Sequence, residues 1–203
     1  MRPVRSLLVL SRLTQAFVGV QIVIAAFSSH ALWSRADTLT AFNDRLGVGE
    51  RHLDSADTRV LVTSLLFSMT YLIAAVTFLV WFHAAYQNLE RRGVAKHTSG
   101  WAIGAWFVPV LGMWRPVKIA EELLGPDSGP QDKALLWTWW ILWVPSMLIW
   151  SVAFVILPDD IDDLIALDSW SAVGRAGHVA AGAILVVLVR RVLRADAAAA
   201  PAT

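Results

Sequence analysis

The chain has 203 residues and no cysteine. Disulfides, thiolate metal sites and a cysteine nucleophile are therefore excluded. Charge is also scarce, at 16% against 57% hydrophobic residues, where soluble domains sit nearer roughly a quarter and a half. The net charge of +1 is too small to suggest a nucleic-acid partner. No P-loop or dinucleotide fingerprint is present, and no Gly-x-Ser-x-Gly elbow. His30, His52 and the Asp-rich stretch after Pro158 lack ligand spacing such as His-x-x-x-His. No metal, no cofactor and no catalytic constellation are expected, so the chain is read as a non-enzyme.

What is plentiful is apolar length. Residues 13–33, 60–81, 134–157 and 170–193 each form a run long enough to cross a bilayer. Allowing for apolar or wet helical extensions, the expected spans are residues 7–33, 60–88, 134–157 and 170–193 of a single integral domain, 1–203. The expected fold is all-α, a helical transmembrane bundle of four crossings. The first run follows Met1-Arg2-Pro3-Val4-Arg5 and contains Ser29-His30-Ala31, a passable signal-peptide cleavage site. It continues past that site to Trp33, so an uncleaved first span is expected. Gln15 and Gln21 within it are read as helix–helix hydrogen-bond partners. Eleven Trp residues stand out. Trp33, Trp81, Trp137, Trp139, Trp140, Trp143 and Trp170 fall near span ends, as an interfacial aromatic belt requires.

Between the runs, residues 34–58 read as a loop of mixed charge. A short surface helix is expected there, capped at Asp37 or Thr38, with Leu39, Phe42 and Leu46 on its apolar face and Gly47 and Gly49 ending it. Ser64, Ser68 and Tyr71 form one polar stripe on the second span. Pro145 is expected to kink the third long run and Pro158 to stop it. The stretch that follows, to Ser169, carries five Asp and no base.

A fifth apolar segment, residues 101–114, differs in kind. A helix of its length reaches about 21 Å, short of a core about 30 Å thick, and Gly104, Pro109 and Gly112 interrupt it. It is expected to be re-entrant or interfacial. Residues 115–124 follow as an amphipathic helix, with Pro116 in its first turn. Arg115, Lys118, Glu121 and Glu122 take its polar side, and Val117, Ala120 and Leu124 another. Basic residues cluster at the N-terminus, at Arg91, Arg92 and Lys96, and at Arg190, Arg191 and Arg194. Lys and Arg collect in cytoplasmic loops, so all three clusters belong on one side, which requires four crossings and cytoplasmic termini. The expected location is the cell membrane.

The stretch Trp81-Phe82-His83-Ala84-Ala85-Tyr86-Gln87-Asn88-Leu89, then Gly93, then Gly100 to Pro109 and Trp114-Arg115-Pro116, together with Trp139-Trp140-Ile141-Leu142-Trp143, resembles a family of actinobacterial multi-pass membrane proteins, domain of unknown function family 4328. The likeness covers about residues 60–157. Gly112 and Val117 depart from the family pattern, where an amide and a ring are usual. The resemblance implies a multi-pass membrane fold and brings no activity. Its motif residues Tyr86, Asn88, Trp101, Trp106, Pro109, Trp114, Arg115 and Pro116 are candidate functional positions.

Arg175 and His178 complete the candidates. They stand i, i+3 on one face of the last span, and ionisable groups inside a span mark function unless paired. Asp162 and Asp163 are the expected partners of Arg175, in a salt bridge at the membrane surface. Gly174, Gly177 and Ala181 mark a face for close helix approach. Three functions follow as expectations. The first is a non-enzymatic module that binds a partner or a second copy within the bilayer. The second is a small channel or transporter using the Ser64/Ser68/Tyr71 stripe, the broken segment and His178. The third is a lipid-active enzyme using His83, Tyr86 or Arg115. The lipid bilayer is the expected surroundings, and Arg91, Arg92, Arg115 and Lys118 form a collar suited to anionic headgroups.

Overall fold

The structure, a computed structural model, describes residues 3–199 except Val48, Pro109, Phe154 and Ile156, without the side chains of residues 3–6. The expectation at Pro109 therefore lies outside the described residues. Among the described residues six α-helices follow in order: α1 (Pro3–Asn43), α2 (Glu50–Arg91), α3 (Trp101–Gly104), α4 (Arg115–Leu124), α5 (Pro130–Ala153) and α6 (Ile161–Ala198), with a 3-10 turn at Leu111–Met113 before α4. No strand occurs among the described residues. The protein is all-α, and four of its helices, α1, α2, α5 and α6, are long and apolar enough to cross a membrane.

Three helices extend well beyond their apolar runs. α1 does not stop near Trp33 but continues to Asn43, so no separate helix begins at Asp37 or Thr38. Backbone hydrogen bonding carries a helix onward through polar residues once its first turns are nucleated. Leu46 N–H closes back on Ala41 C=O at 2.9 Å, with Arg45 at φ 55 in the left-handed position usually held by glycine. Gly47, at φ 76, follows in the short link. α2 starts at Glu50 and ends at Arg91, so an acid and a base sit at the dipole ends they suit. Gly93, at φ 71, then lets Val94 N–H reach Leu89 C=O. α6 begins at Ile161, inside the stretch read as an acidic loop. Asp160 caps it, accepting from Asp163 N–H at 2.8 Å. α5 keeps Pro145 within its length but ends at Ala153, before Pro158.

The chain divides into two compact units, and each long helix gives a segment to each. The first unit comprises Met1–Gly19, Leu72–Ile141 and Gly182–Thr203; the second comprises Val20–Tyr71 and Leu142–Ala181. In the first, Phe78, Phe82, Trp106, Trp139 and Trp140 pack ring on ring, with centroids 5.3–6.3 Å apart. Such pairs add about 0.5–1.5 kcal/mol each beyond area burial. Trp81, Trp139 and Trp140 are buried in protein rather than set in an outer belt, while Trp33 and Trp170 are exposed. In the second unit, Ala31, Leu32, Val60 and Ala172 form a buried core. Gly174 and Gly177 allow close approach to α5, since a Cβ on Gly177 would lie 2.6 Å from Ser146 Oγ. The glutamines do bridge helices. Gln21 accepts from Thr70 in the second unit, and Gln15 accepts from Arg190 at 2.8 Å in the first.

Candidate functional site

In the first unit, Tyr86 on α2 is fully buried. Its hydroxyl donates to Glu122 of α4 at 2.7 Å and accepts from His97 N–H at 3.1 Å. Glu122 also accepts from Lys96 N–H at 3.1 Å and lies 3.7 Å from His97 Nε2. Glu122 thus leaves the solvated face expected for it, because α4 packs through Pro116, Val117, Ile119, Leu123 and Leu124 and turns that carboxylate inward. One turn along α2, the His83 ring donates from Nδ1 to Ser99 C=O at 2.9 Å, and its other nitrogen accepts from Gln87 at 3.0 Å. Glu90 accepts from Ser99 N–H. Together these bonds fasten the turn after α2 to the helix that precedes it.

Further side chains close the same unit. Asn88 donates to Asp196 at 3.4 Å, and Arg92 pairs with Asp196 at 3.0 Å. Arg191 pairs with Asp132. Arg115 lies over the Trp101 ring at 5.4 Å, and Lys118 over that of Trp137 while bonding Glu121. The basic collar is therefore partly engaged with the protein's own acids and rings. Trp106 stacks edge-on against Phe78 and Trp140. Trp140 donates to Met113 C=O at 2.9 Å, which ties α5 to the turn before α4. Trp114 caps α4 without a side-chain bond and is largely exposed, whereas Pro116 is buried in its first turn. His83, Tyr86 and Arg115 have separate partners among the described contacts.

The second unit holds the two ionisable groups of the last span. Arg175 is 8% exposed. Its expected bridge to Asp162 or Asp163 is absent from the described contacts, because both acids stand in the first turn of α6, more than two turns before it. Arg175 instead donates from Nη2 to Ser64 Oγ at 3.1 Å and lies over the Phe67 ring at 4.8 Å. Its Nε and Nη1 are buried without a hydrogen-bond partner. His178 packs against Tyr71 and Phe67, with centroids 5.4 and 5.6 Å away. Tyr71 donates to Met147 Sδ at 3.8 Å, and Ser68 donates to its own helix at Ser64 C=O. A cleft opens beside Arg175, walled by Phe67, Tyr71, Ser146, Trp150 and His178. The structure brings Tyr71 and His178 of the expected polar path to this cleft, but not Ser68.

One carboxylate acts on Arg175 through its charge, with no hydrogen bond between them among the described contacts. Asp168, two turns earlier on α6, accepts from Arg35 Nε and Nη2, both at 2.6 Å. Arg35 also reaches Asp57 of α2 at 3.1 Å. This clamp joins α1, α2 and α6 and was missed in the sequence, where Asp168 reads as one more loop acid and Arg35 as a loop base. The available signal was the seven-residue spacing of Asp168 and Arg175, which places both on one helix face. No group of three or more His, Cys, Asp or Glu suited to a metal is found among the described residues.

Residues 44–194 match the family described as domain of unknown function, DUF4328. The chain belongs to that family. The match takes in both the Tyr86 network and the Arg175 cleft, while the whole of α1 precedes it. Arg35 therefore stands outside the DUF4328 match, although its partners Asp57 and Asp168 stand within it. No curated protein and no solved structure matches the chain.

Proposed function

We propose that this DUF4328 chain is a non-enzymatic, multi-pass plasma-membrane module of actinobacterial type. On this reading it binds a partner inside the bilayer, with both termini in the cytoplasm. One observation carries the reading. Arg175 is a buried cation beside a cleft, with two donor groups that have no hydrogen-bond partner among the described residues. A charge within a span is costly and is retained where it does work. The Tyr86 region supports the same reading from the other side, since its polar groups are spent on one another. It serves as a rigid scaffold. The collar of Arg91, Arg92, Arg115 and Lys118 adds attraction to anionic headgroups.

The test replaces Ser171, a half-buried residue of α6 that lines the cleft, with a photo-crosslinking residue in living cells. A discrete protein adduct that disappears with Arg175→Met is expected. Labelling of lipid alone rejects the module. Ion or solute flux in reconstituted vesicles that Arg175→Met abolishes would install the channel reading in its place. Sidedness is checked with single introduced cysteines, since none is native. Labelling at Ser128 from outside the cell would defeat the four-crossing arrangement.

A further inference from the structure

Charge is divided unevenly between the two units. The first holds 12 Lys and Arg against 6 Asp and Glu, and the second 5 against 10. Lys and Arg gather on the cytoplasmic side, where the leaflet carries anionic lipid. The first unit therefore bears the cations suited to that leaflet. Lys118, Arg92 and Arg191 there already hold carboxylates. Arg115 differs. It is half-buried and, among the described contacts, has the Trp101 ring and no acid.

The segment leading into Arg115 is apolar and turned outward. Trp106 packs against Phe78, Phe82 and Trp140, and Ala102 and Ala105 are fully buried, which fixes the base of the segment to the core. Phe107, Val110, Met113 and Trp114 face away, 71%, 65%, 59% and 45% exposed. The chain doubles back among them. Gly112 N–H donates to Val108 C=O at 2.7 Å, and a Cβ on Gly112 would lie 3.3 Å from the Ala105 carbonyl oxygen. Backbone groups outside regular helical bonding keep such a turn out of the hydrocarbon centre. Large apolar side chains exposed together make water an equally poor host. The boundary between headgroups and acyl chains meets both demands.

The helix that follows does not supply this contact, since α4 turns its apolar face to the protein. It supplies the charge. Arg115, its first residue, stands over the Trp101 ring at 5.4 Å, a pairing suited to headgroup level. A phospholipid with an anionic headgroup complements both parts, with acyl chains for the tip and a phosphate for the guanidinium. The same surface of a second copy carries the same cation and does not complement it.

We propose that this tip is an anchor that reads the lipid of the cytoplasmic leaflet. Phe107, Val110, Met113 and Trp114 enter the upper acyl region, and Arg115 binds the phosphate of an anionic phospholipid at their base. The anchor shares with the proposed module only its placement in the membrane, and the Arg175 cleft plays no part in it.

The experiment uses the full chain with Phe107→Cys, a lone thiol for a bimane label because no cysteine is native. The protein is reconstituted in vesicles of phosphatidylcholine and phosphatidylglycerol in equal parts, with bromine on the acyl chains of one lipid or the other. Leu148→Cys, exposed in the second unit, carries the reference label. Brominated lipid should quench the label at 107, and phosphatidylglycerol should do so about twofold to fivefold more than phosphatidylcholine. The two lipids should quench alike at 148. Arg115→Gln should erase the margin at 107 while quenching itself persists, which shows that the fold is kept, and Arg115→Lys should retain part of it. Raised salt should shrink the margin in the unmutated site. Quenching by aqueous iodide in place of brominated lipid refutes the anchor, as does a label that neither reaches, which would mean that protein covers the tip. Equal quenching by the two lipids, a margin indifferent to salt, or one that survives Arg115→Gln also overturns the proposal. None of these results bears on the Ser171 adduct, so the anchor and the partner-binding reading fail separately.

Discussion

Tyr86 and Arg175 are both polar side chains shut inside helix packing, and their surroundings differ completely. Tyr86 has a carboxylate to donate to and a backbone N–H to accept from. Arg175 has one serine hydroxyl and one ring face for a five-donor charged group. The first is a closed account of donors and acceptors, which fastens the end of α2 to the turn after it and to α4. The second is open, with Nε and Nη1 of Arg175 buried and without a hydrogen-bond partner among the described residues. Arg35 sharpens the contrast within the second unit itself. It has the same guanidinium, but two carboxylates answer it.

The contrast can be broken most forcefully at Asp168. Asp168→Asn removes the carboxylate from a pair whose side chains are 17% and 3% exposed, and breaking such a pair costs about 3–5 kcal/mol. A large fall in the melting temperature of the detergent-solubilised protein is expected. An unchanged melt would mean that the clamp does not hold the unit together. Arg175→Met should act in the opposite direction. Leaving a buried donor unsatisfied costs about 1–3 kcal/mol, and an apolar chain in place of the guanidinium removes that cost, so the isolated protein should melt higher. A lower melt would assign Arg175 a structural duty and remove the basis of the proposed module.

Tyr86→Phe deletes the hydroxyl between Glu122 and His97 and leaves a carboxylate short of a donor. A cost of about 1–3 kcal/mol is expected, measured by denaturant titration with tryptophan fluorescence. Gly177→Ala should cost about 1–3 kcal/mol by overpacking, and Ser146→Ala in the same chain should restore most of it by removing the oxygen that the new methyl meets. Failure of that rescue would show that the close approach of α5 and α6 is not governed by this contact. Smallest of all, Lys118→Ala removes an exposed pair with Glu121 and should shift stability by less than about 0.5 kcal/mol.

Much of the scaffold was legible from hydropathy. The four long helices, the interrupted segment after Gly100 and the helix opened by Pro116 all follow from apolar length and backbone chemistry. Their limits were less legible. Hydropathy reports what lipid tolerates, while a helix ends where its backbone bonding ends, at Asn43 rather than Trp33 and at Ile161 rather than Trp170. The site was half legible. Arg175 and His178 announced themselves as ionisable groups in an apolar run, and Gly177 as a contact point. Their surroundings did not, because Ser64 stands 111 residues from Arg175 and Asp168 stands 133 from Arg35. Glu122 was misread for the same reason, since helical spacing says which face a residue shares but not what packs on that face.

The clamp on Arg35 has a bearing on how the molecule is made. A ribosome delivers α1 and α2 well before α6, and Asp168 is 133 residues behind Arg35 in the queue. Until α6 emerges, Asp57 is the described partner that the arginine has to hold. The clamp therefore closes only once α6 has been made, and a chain halted after α5 would be left unlatched for the quality-control machinery to recognise.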